Sequence, residues 1–311
     1  MCESIKGLGQ KKICVLGNAT IETKIFLRGF PSKNCEEVIE RMYVNVGGSG
    51  AHSAVALSSL GFKVYMITQV GIDANGKRIS FELKKAHVDL TCMLTSGSET
   101  TLFISIFDKN QNRIMLIKPV EWNEKAVFSR LSNIVNTCDI LVICPSSTSL
   151  VMQAAKLARA LRKSIVISPQ TAFFNQTQKW LKRFFGFADM IFLNESEICR
   201  YMRAKTLSEA IEKSNFRDDQ IVVVTMGANG CTVISNEGVM HTPAKQGSIV
   251  DSSGAGDSFM AGFIWSLERG STLKEAANIG CVAGLVTSAR AELPEKGLSL
   301  KEHLKRIRMN C

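Results

Sequence analysis

The segment IVDSSGAGDSFMAGFIWSLERG, residues 249–270, decides how the rest of the chain is read. Gly254 and Gly256 stand beside an acid, Asp257. Directly after them, Phe259, Met260, Phe263, Ile264 and Leu267 recur at helical spacing, which predicts a tight turn feeding a helix over 258–267. The first N–H groups of a helix have no partner within it and the dipole is positive there, so such a turn seats an anion well. An acid in that seat has two readings. Asp257 either caps the helix or is a base held next to the anion that forms.

Moving outward, residues 123–225 alternate: helix 123–135, strand 140–144, helix 149–161, strand 164–168, helix 176–185, strand 190–193, helix 195–203 and strand 221–225. This alternation predicts an α/β fold, a parallel sheet covered by helices on both faces, with ligands beyond the carboxyl ends of its strands. Antiparallel strands are expected at 231–235 and 239–242, and helices at 273–287 and 299–308 complete the set. Upstream, strands 12–16 and 63–68 and helices 51–60 and 77–86 join the same layers. Four β candidates, 19–30, 38–46, 100–107 and 113–118, leave the main sheet and form a small separate one, the last two joined as a hairpin by the turn 108–112.

At 311 residues the chain accommodates one large or two small domains. With 45% apolar and 21% charged residues and 6 prolines, it reads as globular, without long disordered linkers. Its longest apolar runs have strand length, so no membrane span is expected. Residues 1–10 lack an apolar signal core, which makes the cytoplasm the expected compartment. Ten cysteines are scattered without a C-x-x-C pair, and His52, His87, His241 and His303 show no ligand spacing. Free packed thiols and no zinc site follow. The net charge of +10 is spread over expected helix faces with no interleaved aromatics, which favours solvated surfaces over a nucleic-acid footprint.

Several glycine turns adjoin helix starts. Gly47-Gly48 precedes a small-residue helix and admits close approach of either a ligand or a packed strand. The run from Gly71 to Lys77 has the spacing of a P-loop, but Arg78 stands where the magnesium-binding Ser or Thr belongs. A plain turn and helix start account for it. Asn194 and Glu197, three apart at another helix start, form either a capping box or a pair of oxygen donors to hydrated Mg²⁺.

Gly47-Gly48, Gly71-x-Asp73-x-x-Gly76, Asn194-x-x-Glu197, Thr225-x-Gly227-x-x-Gly230 and Asp251-Ser-Ser-Gly-Ala-Gly-Asp257 together resemble, in order and spacing, the ribokinase or phosphofructokinase-B (PfkB) family of carbohydrate kinases, over about residues 13–300. The resemblance implies a single ribokinase-like kinase domain over 1–311: a three-layer α/β/α sandwich with a mostly parallel central sheet. It also implies a small β-sheet lid, formed by discontinuous segments 19–46 and 100–118, that often serves as a homodimer interface. The implied activity is ATP-dependent phosphorylation of a hydroxyl of a sugar or sugar-like molecule, with a nucleoside kinase as the alternative. Asp257 would be the general base, and the turn Gly254, Ala255, Gly256 would present the backbone N–H groups of Ala255, Gly256 and Asp257 as an anion hole. Asn194 and Glu197 would organise Mg²⁺ on the ATP phosphates through water, while Thr225, Gly227 and Gly230 would border the nucleotide. Glu22, Gly47, Gly48 and His52 fall at substrate-binding positions. Asp251 matches a position that in several members helps to bind a monovalent cation such as K⁺ through its backbone.

The chain departs from the family pattern in four places. Glu22 stands where many members have Asp, His52 replaces an Asn, Pro145-Ser146 replaces a substrate-binding Glu of ribokinase, and Ser253 stands near a usual Thr. These changes imply an acceptor other than ribose. A catalytically silent, metabolite-binding kinase homologue is the remaining alternative, opposed by the intact Asp257, Gly254, Gly256, Asn194 and Glu197. No nucleic-acid or membrane partner is expected.

Overall fold

The computed structural model describes residues 11–110, 112–249 and 251–289; the helix expected at 299–308 lies outside them. The chain opens with β1 (Lys12–Leu16), leaves it through β2 (Thr20–Phe26) and β3 (Arg41–Gly47), and returns by α1 (Ser49–Ser59) to β4 (Lys63–Ile67). After β5 (Gln69–Val70), α2 (Ala74–Lys85) and β6 (Leu94–Thr95), it leaves again as the hairpin β7 (Leu102–Phe107) and β8 (Arg113–Lys118). Then α3 (Glu124–Val135), β9 (Ile140–Ile143), α4 (Thr148–Ala160), β10 (Ser164–Ile167), α5 (Gln178–Phe185), β11 (Met190–Asn194), α6 (Glu195–Met202), α7 (Leu207–Glu212) and β12 (Ile221–Thr225) follow. The hairpin β13 (Cys231–Ser235) and β14 (Gly238–Thr242) leads to α8 (Ala255–Leu267) and α9 (Leu273–Ser288).

The main sheet has the order β14-β13-β12-β11-β10-β9-β1-β4, parallel except for its antiparallel edge, β13 and β14. Both faces are buried, so successive residues of one strand feed different cores. Ile13 and Val15 of β1 pack in the core that holds α1, α2, α8 and α9. Cys14 and Leu16 pack in the other, with α3 to α7. Three layers result. The two excursions meet in a second sheet, β3-β2-β7-β8, in which β2 and β7 pair in parallel.

Several boundaries differ from expectation for local reasons. α2 begins at Ala74 because Asp73 caps it, accepting from Gly76 N–H. α8 begins at Ala255 because Gly254, at φ 73°, takes the N-cap. That shift moves Asp257 inside the first turn. β3 begins at Arg41, leaving Val38 and Ile39 exposed. The six-residue α7 is too short to show a helical period in sequence.

Candidate active site

The first turns of α1 and α8 meet beyond the carboxyl end of β1. Ser49 Oγ and Ser53 Oγ, one turn apart on α1, donate to Asp257 Oδ1 at 2.7 and 2.8 Å. His52, on the same face of α1, places Nδ1 3.7 Å from Asp257 Oδ2, an ion-pair contact too long for a hydrogen bond. Gly254 is needed twice: its φ is left-handed, and a Cβ there would stand 3.0 Å from His52 Nδ1. Asp257 is therefore no cap. The N-cap of α8 is Gly254, and the carboxylate turns away from its own helix to α1.

Burial works against a charged His52, but the Asp257 carboxylate, the charge of Glu22 and the Val46 backbone outweigh it and raise the imidazole above its ordinary value. Glu22, Gly48, His52 and Asp257 border one cavity of about 190 Å³, with Asn18, Phe103, Met115 and Gln170 around it. Gly47 lies behind this wall, where a Cβ would come within 3.0 Å of Glu22 Cβ. Asn18 Oδ1 is buried without a hydrogen-bond partner in the protein.

A second cavity, of about 200 Å³, lies on the other side of the α8 turn, bordered by Thr225, Gly227, Gly230, Lys245, Ala255 and Gly256. It continues past Met226, Asn229 and Pro243 into a wider recess. The glycines differ in kind. At Gly230 (φ 87°) a Cβ would fall 2.0 Å from Thr242 O, so the fold itself requires glycine there, whereas a Cβ at Gly256 would meet no protein atom within 4 Å. Ala255 N–H is engaged by Ser252 O at 3.2 Å. The N–H groups of Gly256 and Asp257 have no such acceptor among the described residues.

Asn194 and Glu197 form a full capping box at the junction of β11 and α6: each side chain accepts from the other's backbone N–H at 2.9 Å. Neither lines the two cavities. Glu197 is buried, and that burial, reinforced by the charge of Asp257, pushes its carboxyl up to about 7 against the opposing bonds from Asn194. Among the described residues there is no cluster of three His, Cys, Asp or Glu that could hold a metal. Asp251 is already engaged: Oδ1 accepts from Ser253 N–H at 2.9 Å and Oδ2 takes Lys24 Nζ at 2.5 Å.

The P-loop-like run is a structural turn. Asp73 Oδ1 accepts from Gly76 N–H (2.8 Å) and Thr100 Oγ1 (2.6 Å), and Oδ2 from Thr100 N–H (3.0 Å). Sequence reading missed Asn18, Lys24, Ser49, Ser53, Gln170 and Lys245. Two signals were available: 49, 52 and 53 share one helix face, and 20, 22 and 24 alternate on one strand face. Asn18 and Gln170 are brought to the cavity only by the folding of distant segments.

The chain belongs to the pfkB family of carbohydrate kinases, whose model matches residues 10–292. It is similar to a nucleoside kinase from Methanothermobacter thermautotrophicus, 25% identical over 299 residues that cover 94% of this chain and 95% of that one. The fold is similar to that of Thermotoga maritima ribokinase, with a TM-score of 0.81 at 20% identity, covering 97% of this chain and 100% of that one. It is also similar to that of Arabidopsis thaliana ribokinase complexed with ribose and ATP, with a TM-score of 0.79 at 19% identity and coverage of 96% and 98%. The protein is thus an enzyme, a sugar or nucleoside kinase of this family. Among the described residues, no helix is long and apolar enough to cross a membrane.

Proposed function

We propose that the chain transfers the γ-phosphoryl group of ATP to a hydroxyl of a sugar or sugar-like acceptor, with Asp257 as the base. One observation carries this reading: the first turn of α8 is the shared wall of two cavities, with Asp257 on one and Ala255 and Gly256 on the other. The acceptor lies on the Glu22 and His52 side, and the nucleotide lies along Thr225, Gly227 and Lys245. Asp257 Oδ1 is held by two serine hydroxyls, so the carboxylate is fixed in orientation and Oδ2 remains to take the hydroxyl proton. The N–H groups of Gly256 and Asp257 stabilise the charge that develops on the transferred group.

Mg²⁺, when bound, supplies charge neutralisation on the phosphates. Its hydrated form needs only one or two protein carboxylates; Glu197, oriented by Asn194 but buried and lining neither cavity, would act on it only through intervening water and would be kept ionised by the cation. The small sheet acts as the lid over the acceptor. Its outer strand β8 exposes Ile114 and Leu116, an apolar face suited to pairing with a second copy, which sedimentation would detect.

A nucleoside acceptor is the second reading. Phe103 and Met115 project from the small sheet onto the acceptor cavity and offer apolar surface to a base, while Glu22, His52 and Asp257 grip hydroxyls. The deciding experiment follows ATP consumption against a panel of sugars, sugar phosphates and nucleosides. Turnover with at least one hydroxylated acceptor, and poor turnover with ribose, is expected; ATP consumption with none of the panel would overturn the reading.

A further inference from the structure

Lys24 is a buried lysine, 8% exposed, on the strand of the small sheet that also carries Glu22. Its ammonium crosses from that sheet to the loop that opens α8, where Nζ meets Asp251 Oδ2 at 2.5 Å and Ser253 Oγ at 2.7 Å. Asp251 is anchored in turn to the last turn of α9, its N–H bonding to Ser288 O at 3.1 Å. Ser253 directly precedes Gly254, the N-cap whose backbone aims the following N–H groups. Both Asp251 oxygens therefore have donors, and the positive charge against them belongs to the chain. A monovalent cation placed against the Asp251 carboxylate would have to displace an ammonium already in contact with that carboxylate and with a hydroxyl.

We infer that Lys24 is a tethered cation: its ammonium does at Asp251 what a bound monovalent ion would do, and it locks the small sheet to the anion-hole turn. The inference rests on the kinase reading for its kinetic consequence but not for its structural one. The Lys24 end of the pair is buried and the Asp251 end half-buried, with side chains 9% and 28% exposed, so removing one partner leaves the other's charge poorly compensated and destabilises the fold. Because one partner sits on the lid and the other three residues before the N-cap of α8, the pair couples the lid's position to the geometry of the hole. Lys24 is a positioning residue, since it lines neither cavity.

The test uses the cation itself as probe. The thermal midpoints of the full chain, Lys24→Met and Lys24→Arg are measured in potassium, ammonium, sodium and tetramethylammonium chloride at equal ionic strength. The wild type should show the same midpoint in all four salts. Lys24→Met should melt lower and regain stability selectively in potassium or ammonium, and Lys24→Arg should behave as wild type. With the acceptor found by the panel, Lys24→Met should lose on the order of 10- to 100-fold in kcat, as misplaced reacting groups do, and ammonium should restore part of it, with KM for ATP little changed. Potassium-selective stabilisation of the wild type, or a Lys24→Met protein with wild-type kcat, overturns the inference. If Lys24→Met does not fold, the double variant Lys24→Met/Asp251→Asn, which leaves no unpaired charge, decides instead: a wild-type kcat there makes the pair a structural tie only, and a loss supports the inference. Failure of the panel would sink the kinase reading and leave the salt series to be read alone.

Discussion

Two aspartates, Asp73 and Asp257, sit beside glycines at the starts of helices, yet the fold treats them in opposite ways. Asp73 caps α2 and spends both oxygens on Gly76 and Thr100. Burial would raise its carboxyl, but those bonds outweigh it and hold the group below the ordinary value. Its glycines are packed shut, since a Cβ at Gly76 would lie 2.1 Å from Gly71 O and one at Gly71 would lie 2.3 Å from the carbonyl carbon of Glu99. Asp257 instead hands one oxygen to two serines, turns the other toward His52, and has a neighbour, Gly256, whose missing side chain leaves open space. A turn whose glycines are required by protein atoms is complete in itself. One whose glycine faces a cavity is built for something else.

The largest expected effect is at the proposed base. Asp257→Asn should bind ATP yet lose on the order of 10²–10⁴ in turnover, whereas Asp73→Asn should keep turnover at any temperature where it is folded. Wild-type turnover in Asp257→Asn, measured under saturating substrates, would erase the distinction. The glycines sharpen it next. Gly76→Ala should cost about 1–3 kcal/mol or more by urea unfolding, because backbone atoms must shift. Gly256→Ala should be neutral or more stable by up to about 1 kcal/mol, as Ala for Gly in a helix is, while losing phosphotransfer. Asp73→Ala should then cost about 1–2 kcal/mol, the usual worth of an N-cap, with kcat unchanged.

His52 and Glu197 give the smallest effects. The imidazole is raised above 6.5, so it stays charged to a higher pH than a free histidine and, while charged, weakens Asp257 as a base. Turnover should therefore climb as pH rises through that raised value, and His52→Asn should flatten the climb and alter the ranking of acceptors. An unchanged profile and ranking would make His52 scaffold. Glu197→Gln keeps a capping side chain but removes the charge, so it should raise the Mg²⁺ needed for half-maximal rate with little change in melting temperature. Equal Mg²⁺ dependence would leave Asn194 and Glu197 as a cap alone.

Much of the architecture was legible because burial on both faces leaves long apolar strands, and the helices between them show their period. The start of α8 was misplaced by three residues, since Gly254 acts as N-cap through its backbone conformation and offers no side chain to read. In the site, Asp257 stood out by its glycine context, and Asn194 and Glu197 by spacing alone, which suits a cap as well as a metal. Ser49 and Ser53 were hidden as ordinary small residues in a small-residue helix. Lys24 carries no signal of its own as a single charge on a strand; only the approach of a loop more than 200 positions away in sequence buries it.

The pairing of β2 with β7 has a consequence for how the molecule is made. Ile21 lies against Leu102, about 80 residues later, and all of α1, β4 and α2 come between them. Closing so long a loop carries an entropic cost that only the finished contacts offset. The seam between the two excursions therefore closes later than the pairs β2–β3 and β7–β8 on either side of it, and refolding followed across β2 and β7 should lag behind refolding followed within either pair.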